Sequence, residues 1–118
     1  MFFFKKKTLD EQYLAYAEKV KIGKIINGAF TADTYDERVA ALKALGELRV
    51  KESIEALLKA IKDEDDEVRL TAAASLKKIG STKEVESLMH FAEIEKNPEI
   101  AEMMKQAAIA SKERTPRW

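Results

Sequence analysis

Few side chains in this sequence have types and spacings that suggest a reaction. His90 is the single imidazole, and Glu86 and Ser87 precede it by four and three residues. On a helix those spacings make the three side chains neighbours. A nucleophilic mechanism needs more: a base oriented by one partner and within reach of both nucleophile and substrate. Spacings of three and four recur throughout a charged helix, so the trio designates no catalytic residue. The lack of cysteine removes thiol nucleophiles, disulfides and sulfur-ligated metals. The run Asp63-Glu64-Asp65-Asp66-Glu67 is the densest set of oxygen ligands. A calcium loop of the EF-hand kind needs a mid-loop glycine and a distal Glu, and this run has no glycine. It reads instead as a turn whose acids cap the next helix. Four scattered glycines form no phosphate-cradling loop. The expectation is a non-enzyme with no catalytic residue, no metal ligand and no cofactor.

The elements that position these side chains are helices. Thr8 with Glu11, Thr34 with Glu37, and Ser81 with Glu84 each set a hydroxyl three residues before a carboxylate, the pattern of a capping box. Asp65 is placed to cap a helix opening Asp66-Glu67-Val68, and Asn97-Pro98 opens another with proline at the first helical position. Between these starts the apolar residues recur at helical spacing. The stripes are Val39, Leu42, Leu45, Leu48; Ile54, Leu57, Leu58, Ile61; Val68, Ala72, Leu76, Ile79; and Val85, Leu88, Met89, Ala92. Helices are predicted near 9–28, 35–48, 51–62, 66–79, 83–95 and 98–113. In the first, Tyr13, Tyr16, Val20 and Ile26 fit one face, Gly23 marks a kink or a break, and Asn27-Gly28 reads as the stop before a short loop at 31–33.

Residues 36–62 match the chain 31 residues further on. Arg38 falls on Arg69, Ala41 on Ala72, Leu45 on Leu76, Glu55 on Glu86 and Leu57 on Leu88. Ile100, Met104 and Ala107 then resume the first-helix pattern. A short period built from two helices is the mark of an α-solenoid, in which neighbouring pairs share a core. The expected fold is all-α, a short right-handed solenoid of stacked antiparallel helix pairs with five or six helices. Its parts are a flexible start (1–7), a capping helix or helices (8–33), repeats at 34–64 and 65–96, a half unit at 97–113 and a tail at 114–118, all in one domain.

The run Asp66 to Gly80, with Ala44-Leu45-Gly46 in the earlier copy, resembles a HEAT repeat of the short type also seen in phycobilisome lyases. Glu37 departs from the pattern where a valine would precede Arg38. The resemblance implies right-handed stacking, with second helices on the concave side. It also implies that Arg69 bonds toward the preceding turn, near Asp63 or Asp65. Arg69, Asp65, Gly46 and Gly80 are accordingly expected to be structural.

Composition fits this reading. The 118 residues are 46% apolar and 36% charged, with 21 basic and 21 acidic side chains, which opposes both disorder and a membrane-embedded chain. The zero net charge is uneven: +3 over 1–32, −2 over 33–64, −2 over 65–97 and +1 over 98–118. Mildly acidic repeats weigh against nucleic acid, which needs clustered cations. The opening Met1-Phe2-Phe3-Phe4-Lys5-Lys6-Lys7 puts apolar before basic residues, the reverse of a secretory signal. A cytoplasmic protein is therefore expected, and contact of residues 1–7 with an anionic membrane is a lesser alternative.

Binding is expected on the second-helix face. Its outward residues are Lys51, Glu52, Glu55, Lys59 and Lys62 on one helix, and Glu86, His90 and Glu93 on the next, with Ser87, Phe91 and Ile94 flanking. Phe91 replaces the aligned Ala60, so it is either an anchor for a partner or, as favoured, a side chain packed on Met103 or Met104. The functional expectation is a protein-interaction or scaffold module whose partner is another protein, with a homodimer through an end of the stack as a further option. The alternatives are an enzyme accessory or lyase-like subunit, and nucleic-acid or membrane binding through the basic ends.

Overall fold

A computed structural model describes residues 8–80 and 85–113, apart from the side chains of Ala15 and Tyr16. Among the described residues there are six α-helices: α1 Leu9–Thr31, α2 Tyr35–Glu47, α3 Lys51–Ala60, α4 Asp66–Ile79, α5 Val85–Ile94 and α6 Pro98–Glu113. Their starts follow from side-chain caps. Thr8 Oγ1 accepts from the Glu11 N–H, and the Glu11 carboxylate accepts from the Thr8 N–H, each at 3.2 Å. Thr34 accepts from Glu37 at 3.2 Å, Asp65 from Glu67 at 2.9 Å and Asn97 from Glu99 at 3.0 Å. Each cap satisfies a backbone donor that the helix itself leaves free. The Ser81–Glu84 start lies outside the described residues. Helix α4 stops at Gly80, whose φ of 65° favours glycine.

The helices form an all-α solenoid of two layers. In the first, α4 packs between α2 and α6. In the second, α1 rests on α2 and α3, α3 on α4, and α5 on α6. The Cα envelope of 55 × 44 × 15 Å is only two helices deep. Every buried apolar side chain must therefore lie between the layers or between neighbours in one layer. Leu42, Leu45, Leu57, Ile61, Val68, Leu76, Leu88, Ile100 and Met104 form that core. Each contributes on the order of 1.5–3 kcal/mol by leaving water. Alanines at 72, 73, 107 and 108 let the first-layer helices approach. The closest approach is at Gly46, where a Cβ would lie 2.9 Å from both side-chain atoms of Ser75 and 3.2 Å from its Cα. Ser75 uses this proximity to donate a hydrogen bond to the Leu42 carbonyl at 3.0 Å.

Helix α1 departs from the sequence reading. It runs unbroken through Gly23 and past Asn27-Gly28 to Thr31, so neither a break nor the early stop occurs. Gly23 has open space around it, and an unhindered glycine does not by itself end a helix. Thr31 is the last helical residue rather than part of a loop, and its hydroxyl donates to the Asn27 carbonyl at 2.7 Å. The buried face also differs. Ala29 is buried and Ile22, Ile25, Ile26 and Phe30 are half-buried, whereas Tyr13 and Val20 are exposed. The Tyr16 side chain lies outside what is described. Met89, expected in the α5 stripe, is 40% exposed.

Candidate functional site

Two arginines one repeat apart organise the turns of the second layer. Arg38 on α2 donates through Nε to the Ala29 carbonyl at 3.2 Å and through a terminal nitrogen to Asp63 at 2.9 Å. Arg69 on α4 does the equivalent with more bonds. Its Nε and a terminal nitrogen donate to Glu95 at 2.8 and 3.2 Å, and its other terminal nitrogen donates to the carbonyls of Asp63 at 2.8 Å and Glu64 at 3.1 Å. It also pairs with Asp66. Each arginine thus reaches back to the end of the preceding second-layer helix and forward to an acid at the end of its own unit. The acids match in turn. Asp63 accepts from the Asp65 N–H at 2.9 Å, and Glu95 accepts from the Asn97 N–H at 3.1 Å. Asp65 and Asn97 then cap α4 and α6.

The Arg69–Glu95 pair is partly buried, with the two side chains 16% and 7% exposed. The hydrogen bond to Glu95 raises the Arg69 pKa, opposed by burial and helped by Asp66. Burial pushes the Glu95 carboxyl up, but the bonds from Arg69 and the Asn97 N–H, with the charge of Arg69, outweigh it and hold it below its usual value. Both groups therefore stay charged near neutrality.

This clamp forms one wall of an open groove of about 450 Å³ between the end of α3 and α5. Its apolar part is Ile61, Phe91, Ile94 and Met104; its polar part is Lys62, Asp63, Arg69, Glu95 and Lys96. Asp63 and Glu95 are already engaged by Arg38 and Arg69. The charges with no salt bridge among the described residues are the exposed Lys62 and Lys96. The groove therefore combines apolar side chains with two positive charges, those of Lys62 and Lys96, that no salt bridge among the described residues offsets. The Lys62 ammonium sits 5.7 Å from the centre of the Phe91 ring. A second pair adjoins it, with Lys59 5.1 Å from the centre of the Phe30 ring, in a depression that also includes Arg38 and Lys62. Aromatic faces attract such cations by about 0.5–1 kcal/mol at exposed sites, which orients the lysines without neutralising them.

The structure brings together only part of the sequence-predicted set. Lys62 and Phe91 share the groove, and Lys59 lies in the adjoining depression. Lys62 stands in the turn just beyond α3 rather than on it. Phe91 is half-buried against the core and lines the groove together with Met104. His90 is exposed with its ring 5.3 Å from that of Phe91, edge to face. Glu86 and Glu93 are exposed on α5, and Lys51 and Glu55 are an exposed pair 3.9 Å apart on α3; none of these four lines the groove. Of the residues expected to be structural, Asp65 caps α4, Gly80 ends it, Gly46 meets Ser75 and Arg69 holds the turn. Among the described residues, no three His, Asp or Glu side chains gather as a metal site would require. The acidic turn is instead occupied by caps and arginine pairs. Sequence reasoning missed Glu95, Lys96 and Phe30. Glu95 had a signal: Asp63 and Glu95, Asp65 and Asn97, and Glu67 and Glu99 repeat at 32 residues.

On the opposite layer, a depression between α2, α4 and α6 contains Lys43, Glu47, Ala74, Lys78 and Glu99, with Lys78 paired to Glu47. Its charges are mixed, so it lacks the one-sided polarity of the groove. No helix among the described residues is long and apolar enough to cross a membrane. Among known families, HEAT repeats match residues 22–110. Among curated proteins, none matches the chain.

Proposed function

This chain belongs to the HEAT-repeat family, and we propose that it is a non-catalytic protein-interaction module whose groove between α3 and α5 takes a segment of a partner protein. Repeats of this family commonly mediate protein–protein interaction, through the extended surfaces that stacked helix pairs present. The single observation that carries the reading is the groove itself. Buried Ile61 and Met104, half-buried Phe91 and exposed Ile94 line it together with the exposed Lys62 and Lys96. Such a site suits a partner segment with one large apolar anchor flanked by acidic residues. Ile94 supports the reading: it is 60% exposed at the groove wall, where burial by a partner would be favourable.

The test is affinity capture from a cell extract by the intact chain and by two variants. Lys62→Glu with Ile94→Asp alters only exposed groove positions. Ala74→Arg alters an exposed position on the opposite layer. The expected result is a partner retained by wild type and Ala74→Arg and lost with the groove variant. Loss with Ala74→Arg alone would move the site to the other layer. Absorbance titration with a tetrapyrrole tests the lyase-like alternative that the short repeats suggest. Binding that survives the groove substitutions would favour that alternative over this one.

A further inference from the structure

Helix α1 is 23 residues long, or about 34 Å at 1.5 Å per residue. Among its described side chains, buried or half-buried ones occur only in the last ten residues. From Leu9 to Lys21 every described side chain is exposed, while the buried and half-buried positions begin at Ile22. This projecting part is not polar. Leu9 is 70% exposed, Tyr13 72%, Leu14 67% and Val20 40%. At 100° per residue, Leu9, Tyr13 and Val20 fall within about 40° of arc. That stripe faces away from Ile25 and Ala29, which pack on the stack.

The charges on the same helix run in order. Asp10 stands at the start of the stripe's flank, and Lys21 and Lys24 stand towards its other end. A helix acid at one end and basic at the other is complementary to its own antiparallel copy. We propose that the projecting half of α1 pairs antiparallel with α1 of a second copy of this chain, about a two-fold axis near residues 16 and 17. In that register Tyr13 of each helix covers Val20 of the other, and Asp10 faces Lys21 and Lys24. Such an interface is isologous, so it closes as a dimer and does not propagate. The opposed helix dipoles add to the attraction. The covered area is small, on the order of several hundred Å² from each copy, which puts this dimer among weak, concentration-dependent associations. The proposal is independent of the groove, which lies between the end of α3 and α5 and includes no residue of α1.

Sedimentation equilibrium of the full chain over a range of concentrations at low salt tests it. The wild type is expected to shift from monomer to dimer mass as concentration rises. Asp10→Lys alone, and Lys21→Glu with Lys24→Glu, are each expected to weaken self-association by about tenfold or more, because like charges then face each other. An equimolar mixture of the two variants is expected to associate again, since each supplies the sign that the other lacks. Circular dichroism of each variant checks that α1 stays helical. The chain has no cysteine, so introduced thiols report orientation. A mixture of Tyr13→Cys and Val20→Cys chains is expected to form a mixed disulfide faster than either variant forms its own. A chain that stays monomeric throughout, or a dimer indifferent to both charge variants, would overturn the proposal. Faster crosslinking of Tyr13→Cys with itself would also overturn it, by indicating parallel pairing.

Discussion

Replacing Arg69 by methionine should unfold the repeat stack more readily than any other single change at the turns. Methionine keeps much of the apolar stem and removes the guanidinium, so the effect isolates the polar bonds. Four hydrogen bonds to Glu95, Asp63 and Glu64 disappear, together with the pair to Asp66. Asp66 is 66% exposed, so water replaces its partner at little cost. Glu95 is different: at 7% exposure it is left with the Asn97 N–H. Breaking a fully buried pair costs about 3–5 kcal/mol, and the residual exposure of this one places the loss near 3 kcal/mol. For a domain of this size that lowers Tm by about 10 °C. Arg38 and Asp63 are 24% and 21% exposed, so Arg38→Met should cost only about 1 kcal/mol. The assay is urea and thermal unfolding followed by helical circular dichroism, in a cycle with Glu95→Met. The double variant should recover about 2 kcal/mol of the summed single losses, because no uncompensated charge remains. A loss below about 1 kcal/mol for Arg69→Met, or single losses that simply add, would refute the clamp.

Four further outcomes follow from the same structure. The Glu95 carboxyl is held below its usual value, so its stabilising effect is present above the unfolded value of about 4.3 and is lost as pH falls through the folded one; unfolding of wild type and Arg69→Met should therefore converge as pH falls below the unfolded value. Gly46→Ala should destabilise by about 1–2 kcal/mol despite alanine's better helix propensity, because its Cβ meets Ser75 at 2.9 Å, and denaturant midpoints measure this. Gly23→Ala meets nothing within 4 Å and should make α1 more stable by up to about 1 kcal/mol, read by hydrogen exchange along the helix. The Ser53 hydroxyl is buried with no hydrogen-bond partner among the described residues, so Ser53→Ala should raise stability by about 1 kcal/mol in the same unfolding assay.

Much of the fold was legible because its punctuation is local. Thr8, Thr34, Asp65 and Asn97 each announce a helix within three residues, and the structure begins helices at those places. Stripes such as Val68, Ala72, Leu76 and Ile79 are buried because each lies on one face of a helix with a polar opposite face. Helix α1 gave no such contrast. Apolar residues line both Leu9–Tyr13–Val20 and Ile22–Ile25–Ala29, and spacing alone does not tell which row meets the stack. The groove was partly legible for a similar reason. Lys62 and Phe91 stood out by type, whereas Glu95 was hidden by register. At the 31-residue period Asp63 falls on Ile94, and only one added residue brings it onto Glu95. Phe30 and Lys59 are 29 residues apart and meet only through the packing of α1 against α3.

A photo-crosslinking side chain placed at Ile94, compared with one at Ala74, tests the central claim most directly. Both positions are exposed, and they lie on opposite layers. The groove account predicts that one partner protein crosslinks from position 94, that Lys62→Glu suppresses the crosslink, and that position 74 yields none. Crosslinking of the same partner from position 74 but not from 94 would contradict it.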